Sequence, residues 1–130
     1  MKTLDEIYHA IGEEILNNIP EGEWSEAVLH IEIQPRATTT SAHYLKNNKI
    51  IYFEFDPEDD CSDLVVELHK ITTKGGSNKW NKATFTLYAD YSFDMEFEWD
   101  QAYQDEVDRY NDEAEAEHPC YKRPRWHWEE

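Results

Sequence analysis

From residue 92 to residue 100 the chain reads SFDMEFEWD, and its alternation has no fault. Phe93, Met95, Phe97 and Trp99 are apolar; Asp94, Glu96, Glu98 and Asp100 are acidic. Successive side chains of a β-strand point to opposite faces. A strand here therefore offers four large apolar groups to a core and aligns four carboxylates on the other side. The same period occurs earlier. In EWSEAVLHIEIQP, Leu29, Ile31 and Ile33 point one way and His30, Glu32 and Gln34 the other. TTTSAHYLK is rich in β-branched and small residues, Asn47-Asn48 signals a turn, and KIIYFEFD brings Ile51, Phe53 and Phe55 to one face before Asp56-Pro57 breaks it. These stretches predict a three-stranded antiparallel meander. KWNKATFTLYA and SFDMEFEWD predict two more strands, joined by a tight turn at Asp90-Tyr91.

Around the strands the apolar period lengthens to that of a helix. Leu4, Ile7, Tyr8, Ile11, Ile15, Leu16 and Ile19 predict an amphipathic helix over 3–18, capped by Thr3 or Asp5 and closed by Asn17-Asn18 and Pro20. Gly12 within it weakens the helix or admits a close neighbour. Leu64, Val65, Leu68 and Ile71 predict a second helix over 62–74, capped by Ser62 or Asp63, stopped by Gly75-Gly76, with His69 facing solvent. Residues 101–117 are rich in helix formers with a thin apolar stripe, Tyr103, Val107 and Tyr110, and Pro119 ends them. The order α-βββ-α-ββ-α implies one α+β domain over residues 1–130, a single antiparallel β-sheet with helices packed on one face. The alternating apolar residues are expected on that face, where truncating Phe97 would cost about 3–5 kcal/mol as a core cavity.

Charge narrows the function. The chain carries 29 acidic and 12 basic residues, a formal net charge of −17. Apolar residues still make up 39 %, enough for a core, so disorder is not expected. Nucleic acid and anionic membranes repel such a chain; a basic protein partner attracts it, with fast, salt-sensitive association. The charge is concentrated: residues 90–117 hold 12 acidic residues against one basic, Arg109. MKTLDEIYHAIGEE is too polar for a signal peptide, and no apolar run reaches membrane-spanning length, so a cytoplasmic protein is expected. Cys61 and Cys120 lie far apart without a CxxC or Cys/His cluster, as expected of free thiols in a reducing compartment.

Catalytic chemistry finds little support. Asp94, Glu96 and Glu98 would stand about 6.5–7 Å apart along one strand face, compatible with two-carboxylate chemistry. An exposed sheet face, however, offers no pocket to raise one pKa and hold the other low. HExxH, GxSxG and Gly-rich phosphate loops are absent. DPEDDCSD, residues 56–63, lacks EF-hand spacing and reads as a helix-capping acidic turn. His30 and His43 are expected to be cross-strand neighbours, but two imidazoles on a sheet face are ordinary polar surface. No enzyme, metal or cofactor is expected. The carboxylate row exceeds what an edge strand needs against aggregation, since mixed signs would serve without self-repulsion. It reads instead as a docking surface for a basic protein, with tyrosines among the acids as anchors.

Three stretches carry a family resemblance. IYHAIGEEILNNIPEGEWSEAVLHIEI, residues 7–33, has an IY-x2-I helix, an Ile-Pro stop, a Trp and an alternating strand. KWNKATFTLYADYSFDMEFEWD, residues 79–100, has a Trp before one strand and an acidic-aromatic strand after it. Arg125, Trp126 and Trp128 close the chain. In this order they resemble the YezG-type immunity proteins. The chain departs from the family in the turn ADYS, where Gly is frequent, and in the acidity of residues 101–117. The resemblance implies an immunity protein of a bacterial polymorphic toxin or contact-dependent inhibition system. Such a protein binds a cognate toxin domain, commonly a nuclease with a basic cleft, here as a monomer in a 1:1 complex. The expected toxin-binding residues are Asp94, Glu96, Glu98, Asp100, Tyr103, Asp105, Asp108 and Asp112. The alternative is an acidic adaptor or regulator of a non-toxin basic protein.

Overall fold

A computed structural model describes residues 3–20, 22–35, 37–55, 61–76 and 78–129. Its elements run α1 (Leu4–Asn18), β1 (Glu26–Gln34), β2 (Ala37–Lys46), β3 (Lys49–Phe53), α2 (Cys61–Thr72), β4 (Lys82–Tyr88), β5 (Phe93–Glu98) and α3 (Gln101–Glu117). The strands form one antiparallel sheet in the order β3-β2-β1-β4-β5. This is the α+β order read from the sequence. Both predicted turns form. Asn47 and Asn48 take positive φ in the β2–β3 hairpin, as a tight hairpin turn requires. Asp90 Oδ1 accepts from the Ser92 N–H and hydroxyl, which folds the β4–β5 turn and leaves Tyr91 at φ 69°, the region that favours glycine. The acidic turn 56–60, with the Asp56-Pro57 break, lies outside the described residues.

The period-two pattern sets the two faces. Ala27, Leu29, Ile31 and Ile33 of β1, Ala42 and Tyr44 of β2, and Ala83, Phe85 and Leu87 of β4 are buried against Ile7, Ile11 and Ile15 of α1 and Leu64, Val65 and Leu68 of α2. On the other face no residue of β1, β2 or β4 is buried. Thr3 caps α1 in a reciprocal capping box with Glu6, which satisfies two backbone donors at once. No disulfide joins the two cysteines: Cys61 is buried and Cys120 exposed.

Four local expectations change. Phe97 is 41 % exposed and Ile51 37 %. Both point to the core side but stand on the edge strands, where one flank has no neighbouring strand. Phe97 rests on Trp80, ring centroids 4.9 Å apart. Ser62 and Asp63 are not caps, because α2 already begins at Cys61. Gly12 is not a point of close approach: a Cβ there would meet nothing within 4 Å. His69 does not face solvent. It is 4 % exposed, and its Nε2–H donates to the Trp80 carbonyl at 3.0 Å. The wider stripe of α2 hid this, since the residue beside Leu68 is covered by the C-terminal segment: Trp126, His127 and Trp128 all lie against the His69 ring.

Burial lowers the His69 pKa to about 4, and nearby His127 pushes the same way against the carbonyl bond. The unfolded chain therefore binds this proton more readily than the native one. The stability His69 contributes is complete above its ordinary pKa of 6.5 and is lost as pH falls from there toward about 4. Urea melts at pH 7 and pH 5 should differ by roughly 1–2 kcal/mol through this group. A His69→Gln variant, whatever its absolute stability, should lack that part of the pH slope. An unchanged slope would place the sensitivity elsewhere.

Candidate binding surface

The row of carboxylates is real and outward-facing. Register pairs Thr86 with Asp94, Thr84 with Glu96 and Lys82 with Glu98. Asp94, Glu96 and Glu98 are all exposed. Glu32 on β1 faces Lys82, so the single amine on β4 stands between Glu32 and Glu98. Tyr88 O–H donates to Asp94 at 2.8 Å, which holds that carboxylate in place and raises the phenol pKa. Glu96 and Glu98 border a shallow concavity of about 420 Å³ with His30, Ser41, Lys82 and Thr84. His30 and His43 are diagonal neighbours, ring centroids 5.6 Å apart; His43 pairs directly with Val28. The His43 pKa is lowered, first by burial and then by His30.

The fourth acid of the row is turned to another task. Asp100 accepts the Tyr103 N–H at 3.0 Å and so caps α3. Its other oxygen takes the Lys82 amine at 2.8 Å. The Lys82 bond and then the Tyr103 N–H hold the Asp100 carboxyl below its ordinary range, and the same bond raises Lys82. Tyr103 lies under that amine, 5.1 Å from the ring centroid, and accepts from Gln34. Asp105 is exposed and takes a hydrogen bond from Gln101. Asp108 and Asp112 turn toward the C-terminal segment. Asp108 accepts from Gln104; Arg123 donates to the Asp108 carbonyl and pairs with Asp112. Arg123 Nε also lies 3.1 Å from Glu115 but is not aligned to hydrogen-bond it. The structure thus gathers Asp94, Glu96 and Glu98 on the sheet, seats Asp100 and Tyr103 at the junction, and sets Asp105, Asp108 and Asp112 along α3.

Sequence reasoning missed Asn81, which makes this junction. It is fully buried, and its side-chain amide brackets the Asp100 peptide: Oδ1 accepts the Asp100 N–H at 2.7 Å and Nδ2 donates to the Asp100 carbonyl at 2.9 Å. A polar residue just before an alternating run carries no periodic signal, so nothing in the pattern marked it.

Among the described residues, no three His, Cys, Asp or Glu gather as a metal site, and no helix is long and apolar enough to cross a membrane. The chain is similar to Immunity protein YezG of Bacillus subtilis (strain 168). The two are 26 % identical over 122 residues, covering 82 % of this chain and 80 % of YezG. The resemblance read from the sequence and this alignment to YezG agree. No family model matches.

Proposed function

We propose that this protein is an immunity protein that binds a cognate toxin domain and neutralises it without catalysis of its own. The observation that carries the reading is the similarity to a named immunity protein along four-fifths of the chain. The acid face supports it in physical terms. Exposed like charges in one row repel one another in the free protein. A basic surface relieves that repulsion on docking, which adds to binding and steers the encounter. A nuclease toxin, whose cleft must be basic to hold phosphates, is the partner class this face suits best, in a 1:1 complex formed in the cytoplasm.

The test neutralises the three exposed acids and spares Asp100, because Asp100 caps α3 and a change there would confound folding with binding. The Asp94→Asn, Glu96→Gln, Glu98→Gln variant should fold as well as the parent. Its association with the toxin should slow by about ten-fold at low ionic strength, with the difference shrinking as salt screens exposed charge. Full protection of toxin-expressing cells, together with an association rate indifferent to both salt and substitution, would remove the ladder from recognition and leave it as protection of an edge strand.

A further inference from the structure

The sheet has two free edges, and they are built differently. β5 carries Asp94, Glu96 and Glu98, and such charges oppose pairing with another strand. β3 reads KIIYF and holds no acid. On its outer face Ile50 and Tyr52 are 56 % and 75 % exposed. The backbone along this edge is open in a regular way. The two-residue turn Asn47-Asn48 makes Lys46 and Lys49 a hydrogen-bonded pair, so Ile51 and Phe53 also bond toward β2. The N–H and C=O groups of Ile50 and Tyr52 therefore point away from the sheet, and none of the described residues bonds to them.

An edge of this kind is a template for a further strand. Charge selects the occupant. Lys46 and Lys49 flank the turn that opens β3, and Glu54 stands just past its end. The two cations disfavour the basic partner that suits the ladder. An antiparallel copy of the same strand answers both ends at once, because it brings Glu54 of one chain beside Lys49 of the other. We infer that β3 pairs with β3 of a second copy about a two-fold axis at Ile51, joining two sheets into one. Full overlap of the strands sets Ile50 opposite the partner's Tyr52, so that their free backbone groups bond reciprocally. Isoleucine against tyrosine is a favourable cross-strand pair. Ile51 then faces its own symmetry mate in a non-hydrogen-bonded pair. Each copy has one such edge, so assembly stops at two. The carboxylate row stays free, on the opposite edge about 19 Å away at four strand spacings. Each copy thus keeps its own acid face, and the pairing does not depend on the function proposed above. So short a joint covers less than the roughly 800 Å² per partner of a standard interface, so the pair is weak, with a Kd on the order of 10–100 μM.

Sedimentation equilibrium of the full-length protein is the test, from low to high micromolar, in salt enough to screen the repulsion between two chains of net charge −17. The average mass should rise with concentration from one chain toward two and no further. Tyr52→Asp should weaken the pair by about ten-fold or more, whereas Tyr91→Asp, the same change at an exposed turn, should leave it unaltered. Crosslinking in a Cys120→Ser background reads the register. Ile51→Cys should yield a disulfide-linked dimer under oxidised glutathione, because residues facing each other in a non-hydrogen-bonded pair have Cα atoms about 4.5 Å apart, within disulfide reach. Ile50→Cys should link far more slowly, since its symmetry mate lies two residues along the strand. A single-chain mass at every concentration, growth beyond two chains, a pair that survives Tyr52→Asp, or equal linking at residues 50 and 51 would each overturn the inference. A single-chain mass, together with loss of protection against the toxin on Tyr52→Asp, would give this edge to the toxin instead. A dimer alongside a ladder variant that protects fully would keep the β3 edge and discard the ladder.

Discussion

Trp80→Ala should lower the free energy of unfolding by about 3–5 kcal/mol, the range for truncating a buried aromatic. Trp80 is 1 % exposed. Its ring meets His69 edge-on at 4.7 Å and carries Phe97 at 4.9 Å, and its Nε1–H donates to Thr72 at 2.8 Å. Truncation opens a cavity between the end of α2 and the start of β4, and it strips the support from Phe97. Against a typical stability of roughly 5–15 kcal/mol, such a loss is a large fraction. Phe97→Ala should cost only about 1 kcal/mol, because a ring that is 41 % exposed gives up little further burial. Urea melts of the two variants should therefore separate clearly in midpoint with similar slopes. Equal losses would mean that Phe97 carries as much of the packing at this end of the sheet as Trp80 does.

The contrast between these two residues shows where sequence pattern stops. Alternation correctly gives each apolar residue of β5 its face, because a strand has only two. It is silent on whether the strand sits at the centre or the edge of the sheet. Leu29 and Ile31 of central β1 are buried, whereas Ile51 of β3 and Phe97 of β5 carry the same pattern on edge strands and stay partly exposed. Helix periodicity likewise assigns Leu64, Val65 and Leu68 to the core but leaves His69 outside. The cover for His69 comes from residues 126–128, far along the chain, and no local period reports on that. The ladder is legible because exposure follows from charge and alternation alone. The roles of Asp100, Asp108 and Asp112 are not, since each depends on a partner that alternation does not name: Lys82 for the first, Gln104 and Arg123 for the others.

Asn81→Ala should cost about 2–5 kcal/mol, the sum of two lost hydrogen bonds and the backbone groups left behind without partners. β5 ends at Glu98, whose carbonyl accepts the Asn81 N–H at 3.0 Å. Beyond that point no strand continues the ladder. The Asn81 side chain does so instead, presenting one acceptor and one donor to the Asp100 peptide as a neighbouring strand would. With Asp100 fixed, its carboxylate can cap α3 and hold Lys82, and the helix leaves the sheet in a set direction. Asn81→Asp sharpens the test. It keeps the acceptor for the Asp100 N–H but turns an oxygen toward the Asp100 carbonyl, so at pH 7 it should cost at least as much as alanine. On acidification the introduced carboxyl takes up a proton and regains a donor, and part of the loss should return as pH falls through the carboxylate range. Amide exchange should quicken at Asp100 and Tyr103 in both variants while the β1–β2 pairing stays protected. A loss under about 1 kcal/mol for alanine, with exchange at Tyr103 unchanged, would show that the cap and the Lys82 pair hold this junction without Asn81.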